Sequence, residues 1–328
     1  MKLLGREVAP LGMGCWGIGG RFFAGNQPLG FPDLDSDEAI RVLHAALDAG
    51  ISVFDTAAVY GAGQSERRLG TALKGRSEVV VISKLGTAFD EETRQVLGDR
   101  TDPGDIAAAI EDSLRRLQRD CIDVMLLHLN GLPVATAMPI FEEMERARQA
   151  GKIRAYGWST DFPASAAAMA QLPGFVGVEH AMNVFVDVPS IQSVVEQQDL
   201  VAFIRSPLAM GLLTGKYDET SVVSGDDVRS VNSERRDYFR DGKASPKYLT
   251  RLEALRDLLR TGGRTLAQGA LGWLMAKSDR NVPLPGARTV AQVRENADAL
   301  RFGPLPQAVM AEIEIVIRRD PEGKPQAR

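Results

Sequence analysis

Short apolar runs recur along the chain at near-regular intervals, and the stretches between them switch to a helical period. Residues 11–16, 51–54, 79–84, 123–128, 153–159, 176–183, 200–207 and 282–285 have the length and β-branching of buried strands. Between the first two, Asp35 and Glu38 make a capping-box-like helix start. Ile40, Leu43 and Leu47 follow on one face with His44 at its inner edge, and Gly50 stops the helix. Further helices are predicted over 65–73, over 103–117 with Ile106, Ile110, Leu114 and Leu117 on one stripe, over 138–150, over 265–277 and over 306–319. Strand and helix alternating eight times predict an α/β fold, the (β/α)8 TIM barrel, as one domain over 1–328. A doubly wound sheet is the runner-up, disfavoured because Gly12-Met13-Gly14 lacks a third glycine in register. Residues 1–9 predict a hairpin closing the barrel bottom, 85–102 an irregular wall containing Phe89, and 320–328 a frayed tail.

Composition narrows the function classes. The 328 residues are 44% hydrophobic and 25% charged, an ordinary globular balance. A net charge of −4 and a pI near 5.6 give no electrostatic footprint for nucleic acid or anionic lipid. The start of the chain lacks an apolar signal core and no run reaches the length of a membrane span, so a cytoplasmic location is expected. Cys15 and Cys121 are too few and too far apart for a zinc motif or a disulfide framework.

The chemistry lies at the strand ends. Phe54-Asp55 closes one apolar run and is followed five residues on by Tyr60-Gly61; Lys84 closes the next run and His128 the one after. Singly, Asp55 reads as a cap, Tyr60 as a half-buried ring, Lys84 as a surface charge and His128 as a core histidine. Jointly they fall on the barrel face where catalytic groups collect. A phenol is a poor proton donor at neutral pH unless a cation stabilises its anion, and Lys84 is placed to lower its pKa. Over 17–32 the chain is glycine-rich with Phe22, Phe23, Leu29 and Phe31, read as exposed aromatics of a substrate pocket.

These segments, together with Gly151-Lys152-Ile153-Arg154, Ser206-Pro207-Leu208, Gly211-Leu212-Leu213-Thr214-Gly215-Lys216 and Pro285-Gly286-Ala287-Arg288, resemble the aldo-keto reductase superfamily over essentially the whole chain. The resemblance implies reduction of an aldehyde or ketone by NADPH, or the reverse oxidation to NADP+, with a small-molecule carbonyl compound as substrate. It implies Tyr60 as general acid, Lys84 beside its hydroxyl, Asp55 orienting Lys84, and His128 donating a hydrogen bond to the substrate oxygen. Trp16 is implied beside the active site. Ser159, Thr160 and Glu179 stand where the family holds the nicotinamide carboxamide with Ser, Asn and Gln. Ser206, Pro207, Leu208, Gly211, Leu213, Gly215 and Lys216 match the pyrophosphate segment, and Gly286, Arg288, Gln292, Glu295 and Asn296 the adenosine end, with Arg288 on the 2′-phosphate.

Three departures stand out. Leu129-Asn130-Gly131 follows His128 where many relatives carry a proline, the 22–31 loop matches no substrate pattern, and Arg205 replaces a stacking aromatic. Arg205 and Glu179 are expected to pair beside the nicotinamide. The segment 217–248 reads either as a cofactor cover or as a solvated excursion. Two alternative functions remain at this stage, a Schiff-base barrel aldolase using Lys84 and a slow, cofactor-binding redox-sensing subunit.

Overall fold

The computed structural model describes residues 1–232 and 237–323. Residues 233–236 of the long polar segment and 324–328 of the expected tail lie outside the described residues. Eight parallel strands run in sequence order around the sheet: β1 Met13–Gly14, β2 Val53–Asp55, β3 Val80–Leu85, β4 Ile122–Leu127, β5 Ile153–Ser159, β6 Phe175–Ala181, β7 Val201–Arg205 and β8 Asn281–Pro283. The sheet closes between its ends, where Gly12 N–H donates to Pro283 O at 2.9 Å and Gly14 N–H to Pro285 O at 3.1 Å. A Cβ on Gly14 would stand 2.7 Å from Leu284 O, so this seam admits only glycine at that position. The expected (β/α)8 barrel is the fold found.

Side chains alternate across each strand, and the two faces form separate cores. Val80 and Ile82 of β3, Val124 and Leu126 of β4 and Phe203 of β7 fill the lumen, while Val81, Met125 and Ile204 face the helices. The hairpin Lys2–Leu3 and Arg6–Glu7 brings Leu3 and Val8 onto the lower lumen, as expected for residues 1–9.

The outer helices are α1 Ser36–Asp48, α2 Gln64–Ala72, α3 Ile106–Leu117, α4 Val134–Gln149, α5 Pro163–Met169, α6 Pro189–Gln197, α7 Pro246–Leu259, α8 Leu266–Lys277, α9 Val290–Phe302 and α10 Gln307–Val316. Asp35 caps α1 by accepting from Asp37 and Glu38 N–H, but the Glu38 carboxylate turns to Arg41, so only half of the expected box forms. The full box is on α8, between Thr265 and Gln268. His44 is structural, its ring against Ala72 O at 3.2 Å.

Four expectations need correction. Helix α4 begins at Val134, not 138, and passes through Pro139, which forfeits one backbone hydrogen bond because its ring nitrogen has no N–H. The stretch read as irregular contains an antiparallel hairpin, Thr87–Phe89 against Val96–Asp99. Phe22 is buried against Ala57 and Val59 rather than displayed on the loop. The segment 217–248 is no free excursion: Val228 N–H donates to Gly30 O at 2.9 Å, Arg21 meets Asp226 at 2.5 Å, and Arg229 lies over the rings of Phe31, Tyr217 and Phe239. It straps the loop after β7 to the loop after β1. No helix among the described residues is long and apolar enough to cross a membrane.

Candidate active site

The lumen-facing register that carries Val80 and Ile82 reaches Lys84 at its upper end. The same period of two places Asp55, His128, Ser159, Glu179 and Arg205 inward on their own strands or just beyond them. Lys84 Nζ donates to Asp55 Oδ1 at 2.5 Å and to Thr56 O at 2.9 Å, and lies 3.1 Å from Glu179 Oε2. The side chains of Lys84, Asp55 and Glu179 are 0%, 7% and 2% exposed, so one ammonium and two carboxyl groups are sealed from water together. Asp55 and Lys84 are joined as the sequence predicts.

Tyr60 reaches this cluster from a turn after β2. Gly61 has φ +60° and lies so close to Gly19 that a Cβ would stand 2.0 Å from Gly19 O; only glycine lets the turn nest there. The Tyr60 ring is half-buried between Trp16, stacked at 6.1 Å, and His128, edge-on at 5.8 Å, with Lys84 Nζ 5.2 Å from its centroid. Trp16 is fixed by its indole N–H to Leu29 O at 3.2 Å and by Phe31 at its edge. Phe22, Phe89 and Val59 extend this into an apolar wall around the phenol.

Electrostatics correct one expectation. Burial pushes the Tyr60 phenol up; Lys84 opposes this, but Asp55 and Glu179 reinforce it, so the net direction is upward rather than downward. The lysine's charge is divided between two carboxyl groups before it reaches the phenol. Burial works to discharge Lys84, yet Asp55 and Glu179 hold it protonated and its pKa rises. Burial and Glu179 push the Asp55 carboxyl well above its ordinary range. His128 falls to about 3 through burial, Lys84 and Arg205, so it is neutral and offers one N–H. Burial raises the Cys15 thiol, so it stays undissociated.

These shifts predict how stability varies with acidity. His180 is also buried neutral, its pKa down to about 4 mainly through burial. Below the ordinary histidine value of 6.5 the unfolded chain takes up two protons that the folded protein refuses, at His128 and His180. Asp55 acts oppositely, since its raised carboxyl holds in the folded protein a proton that the unfolded chain releases. The two histidines outweigh the single carboxyl, so stability should fall as pH drops from 6.5 toward the carboxylate range, each refused proton being worth about 1.4 kcal/mol per pH unit. Urea unfolding across that window measures the slope, and His180→Gln should reduce it. A stability that does not fall over this window would mean that His128 and His180 are not held neutral.

The expected Arg205–Glu179 pair does not form. Ala181, not Glu179, is the register partner of Arg205, which places Arg205 one inward position higher. There it pairs with Asp161 at 2.5 Å, while Glu179 turns to Lys84 and receives the Ser159 hydroxyl at 3.4 Å. Thr160 spends its hydroxyl on Asn130 O at 2.6 Å. Asp161 was missed because Asp-Phe-Pro before α5 reads as an ordinary helix start, and Asn130 because only its departure from a proline was visible.

Beyond β7 the backbone is left-handed at Ser206, Ala209, Met210, Gly211 and Gly215, a concentration of strain of the kind that accompanies binding segments. Asn183 clamps it through Ser206 O at 3.0 Å and Tyr238 Oη at 2.9 Å, another pair that the sequence reading missed. Pro207, Leu208 and Leu213 are buried, whereas Lys216 is exposed over the Tyr217 ring. Gly286 is exposed after β8, and a Cβ there would meet only Gly14 O at 3.6 Å, which leaves an open cradle three residues before the cap of α9. Arg288 is not free: its guanidinium donates to Gly17 O at 2.7 Å and Pro32 O at 2.8 Å. Gln292 accepts from Arg288 N–H at 2.8 Å, Glu295 O from Gln268 at 3.1 Å, and Asn296 is buried.

Comparison with known proteins bears on the chain as a whole. The model of the aldo/keto reductase family matches residues 10–318. Aldo-keto reductase YhdN of Bacillus subtilis (strain 168) is 30% identical over 301 residues, covering 88% of this chain and 84% of that one. The NADH-specific methylglyoxal reductase of Escherichia coli (strain K12) is 29% identical, covering 90% of each. The structure of the glycerol dehydrogenase AKR11B4 from Gluconobacter oxydans superposes with a TM-score of 0.80 at 29% identity, covering 96% of this chain and 93% of that one. A barrel with Asp55, Tyr60, Lys84 and His128 converging at its upper mouth, matched along nearly its whole length, belongs to the aldo/keto reductase family.

Proposed function

We propose that the protein is an NADP(H)-dependent oxidoreductase that reduces the carbonyl of a small aldehyde or ketone, with Tyr60 as general acid. The observation that carries this reading is the Tyr60 ring at the open barrel mouth, flanked by neutral His128 and by Lys84 and facing an apolar wall. Tyr60 gives its hydroxyl proton to the carbonyl oxygen and the phenolate left behind faces the Lys84 ammonium. His128 donates its N–H to the same oxygen and sets its angle. Asp55 keeps Lys84 charged and in place.

The residues present fit a dinucleotide. The Gly286 cradle and the strained 206–215 backbone leave room for close approach, and the start of the 13-residue helix α9 with Arg288 and Lys216 supplies positive potential for phosphates. Ser159, Gly211, Gly215 and Asn296 would complete the set of holders. When bound, the reduced nicotinamide supplies the hydride.

The aldolase alternative loses ground on one observation. A Schiff-base nucleophile must be a neutral, reachable amine, whereas Lys84 is sealed and held protonated by two carboxyl groups. The test is a panel of aldehydes, dicarbonyls and ketones followed by NADPH absorbance. Steady substrate-dependent consumption is expected; binding of NADPH without turnover on any carbonyl would return the sensing-subunit reading.

The choice of NADP(H) over NAD(H) rests on Arg288. Arg288→Ala should weaken NADPH relative to NADH by about tenfold or more, the scale of a charge-assisted hydrogen bond to phosphate. Equal losses for the two dinucleotides in a fluorescence titration would mean that Arg288 serves only to anchor the Gly17 and Pro32 carbonyls.

A further inference from the structure

We propose that Glu179 is a second carboxylate on Lys84, that it and Asp55 hold one proton between them in the resting protein, and that the pair limits the help Lys84 gives to a Tyr60 phenolate. The proposal rests on the reading of Tyr60 as the acid. It begins with a charge count. Two carboxyl groups and one ammonium share a space closed to water, with 2.5 Å and 3.1 Å between lysine nitrogen and carboxylate oxygens. Fully ionised, the cluster would bury a net negative charge, and one proton removes it.

Among the described residues, no neighbour of the cluster offers a free cation to supply the balance. Cys15 after β1 is an undissociated thiol, and His128 after β4 is neutral. Ser159 at the end of β5 donates only a hydroxyl, and Arg205 at the end of β7 is engaged by Asp161. The lysine is drawn on from several sides as well. Lys84 Nζ donates to Asp55 Oδ1 and to the Thr56 carbonyl, and it lies 3.1 Å from Glu179 Oε2, which accepts no hydrogen bond, so Glu179 acts on it through charge. The ammonium's charge is divided between two carboxyl groups before it reaches a phenolate. A glutamine at 179 would leave a balanced Asp55–Lys84 pair and remove that division.

Glu179 touches none of the reacting atoms in this account; it is a positioning residue acting through Lys84, and the shared proton belongs to the pair rather than to either carboxyl. The upward shifts of Asp55 and Tyr60, to both of which Glu179 contributes, agree with the charge count.

The experiment uses the full chain without cofactor or substrate. Infrared spectra at neutral pH should contain the carbonyl band of one protonated carboxylic acid, and Glu179→Gln and Asp55→Asn should each abolish it. Ultraviolet titration of the Tyr60 phenol, read as wild type minus Tyr60→Phe and repeated on the Glu179→Gln background, should move down by about one pH unit or more. Absence of the band in wild type, an unchanged band in Glu179→Gln, or a phenol that titrates unchanged would each overturn the proposal. If a variant folds poorly, the wild-type band alone still decides. Turnover by Tyr60→Phe is scored separately: were it retained while the band behaved as stated, the acid assignment would fall and the shared proton would stand.

Discussion

Tyr60→Phe should lower the rate of carbonyl reduction by about 10²–10⁴-fold, the usual contribution of a positioned acid, while NADPH affinity and folding stay near wild type. The substitution removes one hydroxyl and keeps the ring that packs between Trp16 and His128, so the apolar wall and the nesting of Gly61 on Gly19 are preserved. No neighbour can replace the lost proton at neutral pH. His128, at about 3, is already deprotonated, and Lys84 is turned toward its two carboxyl partners. Steady-state rates on the best carbonyl of the panel, together with a dissociation constant for NADPH, measure the effect. A variant within about tenfold of wild type would mean that the acid lies elsewhere.

Lys84→Met should cost about 3–5 kcal/mol of folding stability, far more than an ordinary surface substitution, because it leaves two buried carboxyl groups without their cation. Methionine matches the length and packing of the lysine stem, so the loss is electrostatic rather than a cavity. The pH dependence separates the two causes. Without Lys84 the Asp55 carboxyl loses the charge that opposes its upward shift, and a carboxyl whose folded-state pKa is raised adds stability at low pH that is lost as pH rises through its folded value. The gap between variant and wild type should widen toward alkaline pH and narrow toward acid. Adding Asp55→Asn and Glu179→Gln to Lys84→Met should recover much of the loss. Urea unfolding at several pH values tests this, and a gap that ignores pH and is not recovered would assign the cost to packing.

Both predictions depend on residues whose roles were legible to different degrees. Asp55, Lys84 and His128 were readable because each ends an apolar run, and a period of two fixes which side of a strand faces the lumen without knowledge of its neighbours. Tyr60 was readable because the glycines beside it announce a turn. The hairpin at residues 1–9 and the eight-fold alternation were readable for the same reason: they are local patterns of burial. Helix α4 was misjudged by one turn because Pro139 resembles a first helical residue, and α7 was not foreseen behind the long polar segment.

Partner choice was not readable. Strand order and alternation by themselves put Glu179 and Arg205 on adjacent strands of one face, and an acid beside a base looks like a pair. The stagger of the barrel decides otherwise, setting Arg205 opposite Ala181 at the height of Asp161 and leaving Glu179 at the height of Lys84. Reversal of the shift expected for Tyr60 was no more readable, since it comes first from burial of the phenol, which Asp55 and Glu179 reinforce against Lys84. Nor was the docking of the 217–248 segment, whose Val228 and Arg229 find partners on a loop some two hundred residues earlier. By itself the sequence determined the barrel, its inward register and the groups at its mouth, because these depend on periodicity within each segment. Only the tertiary structure decided which charges meet and which way the proton equilibria lean, because Coulomb energies and desolvation depend on distances between segments that the shear of the closed sheet alone sets.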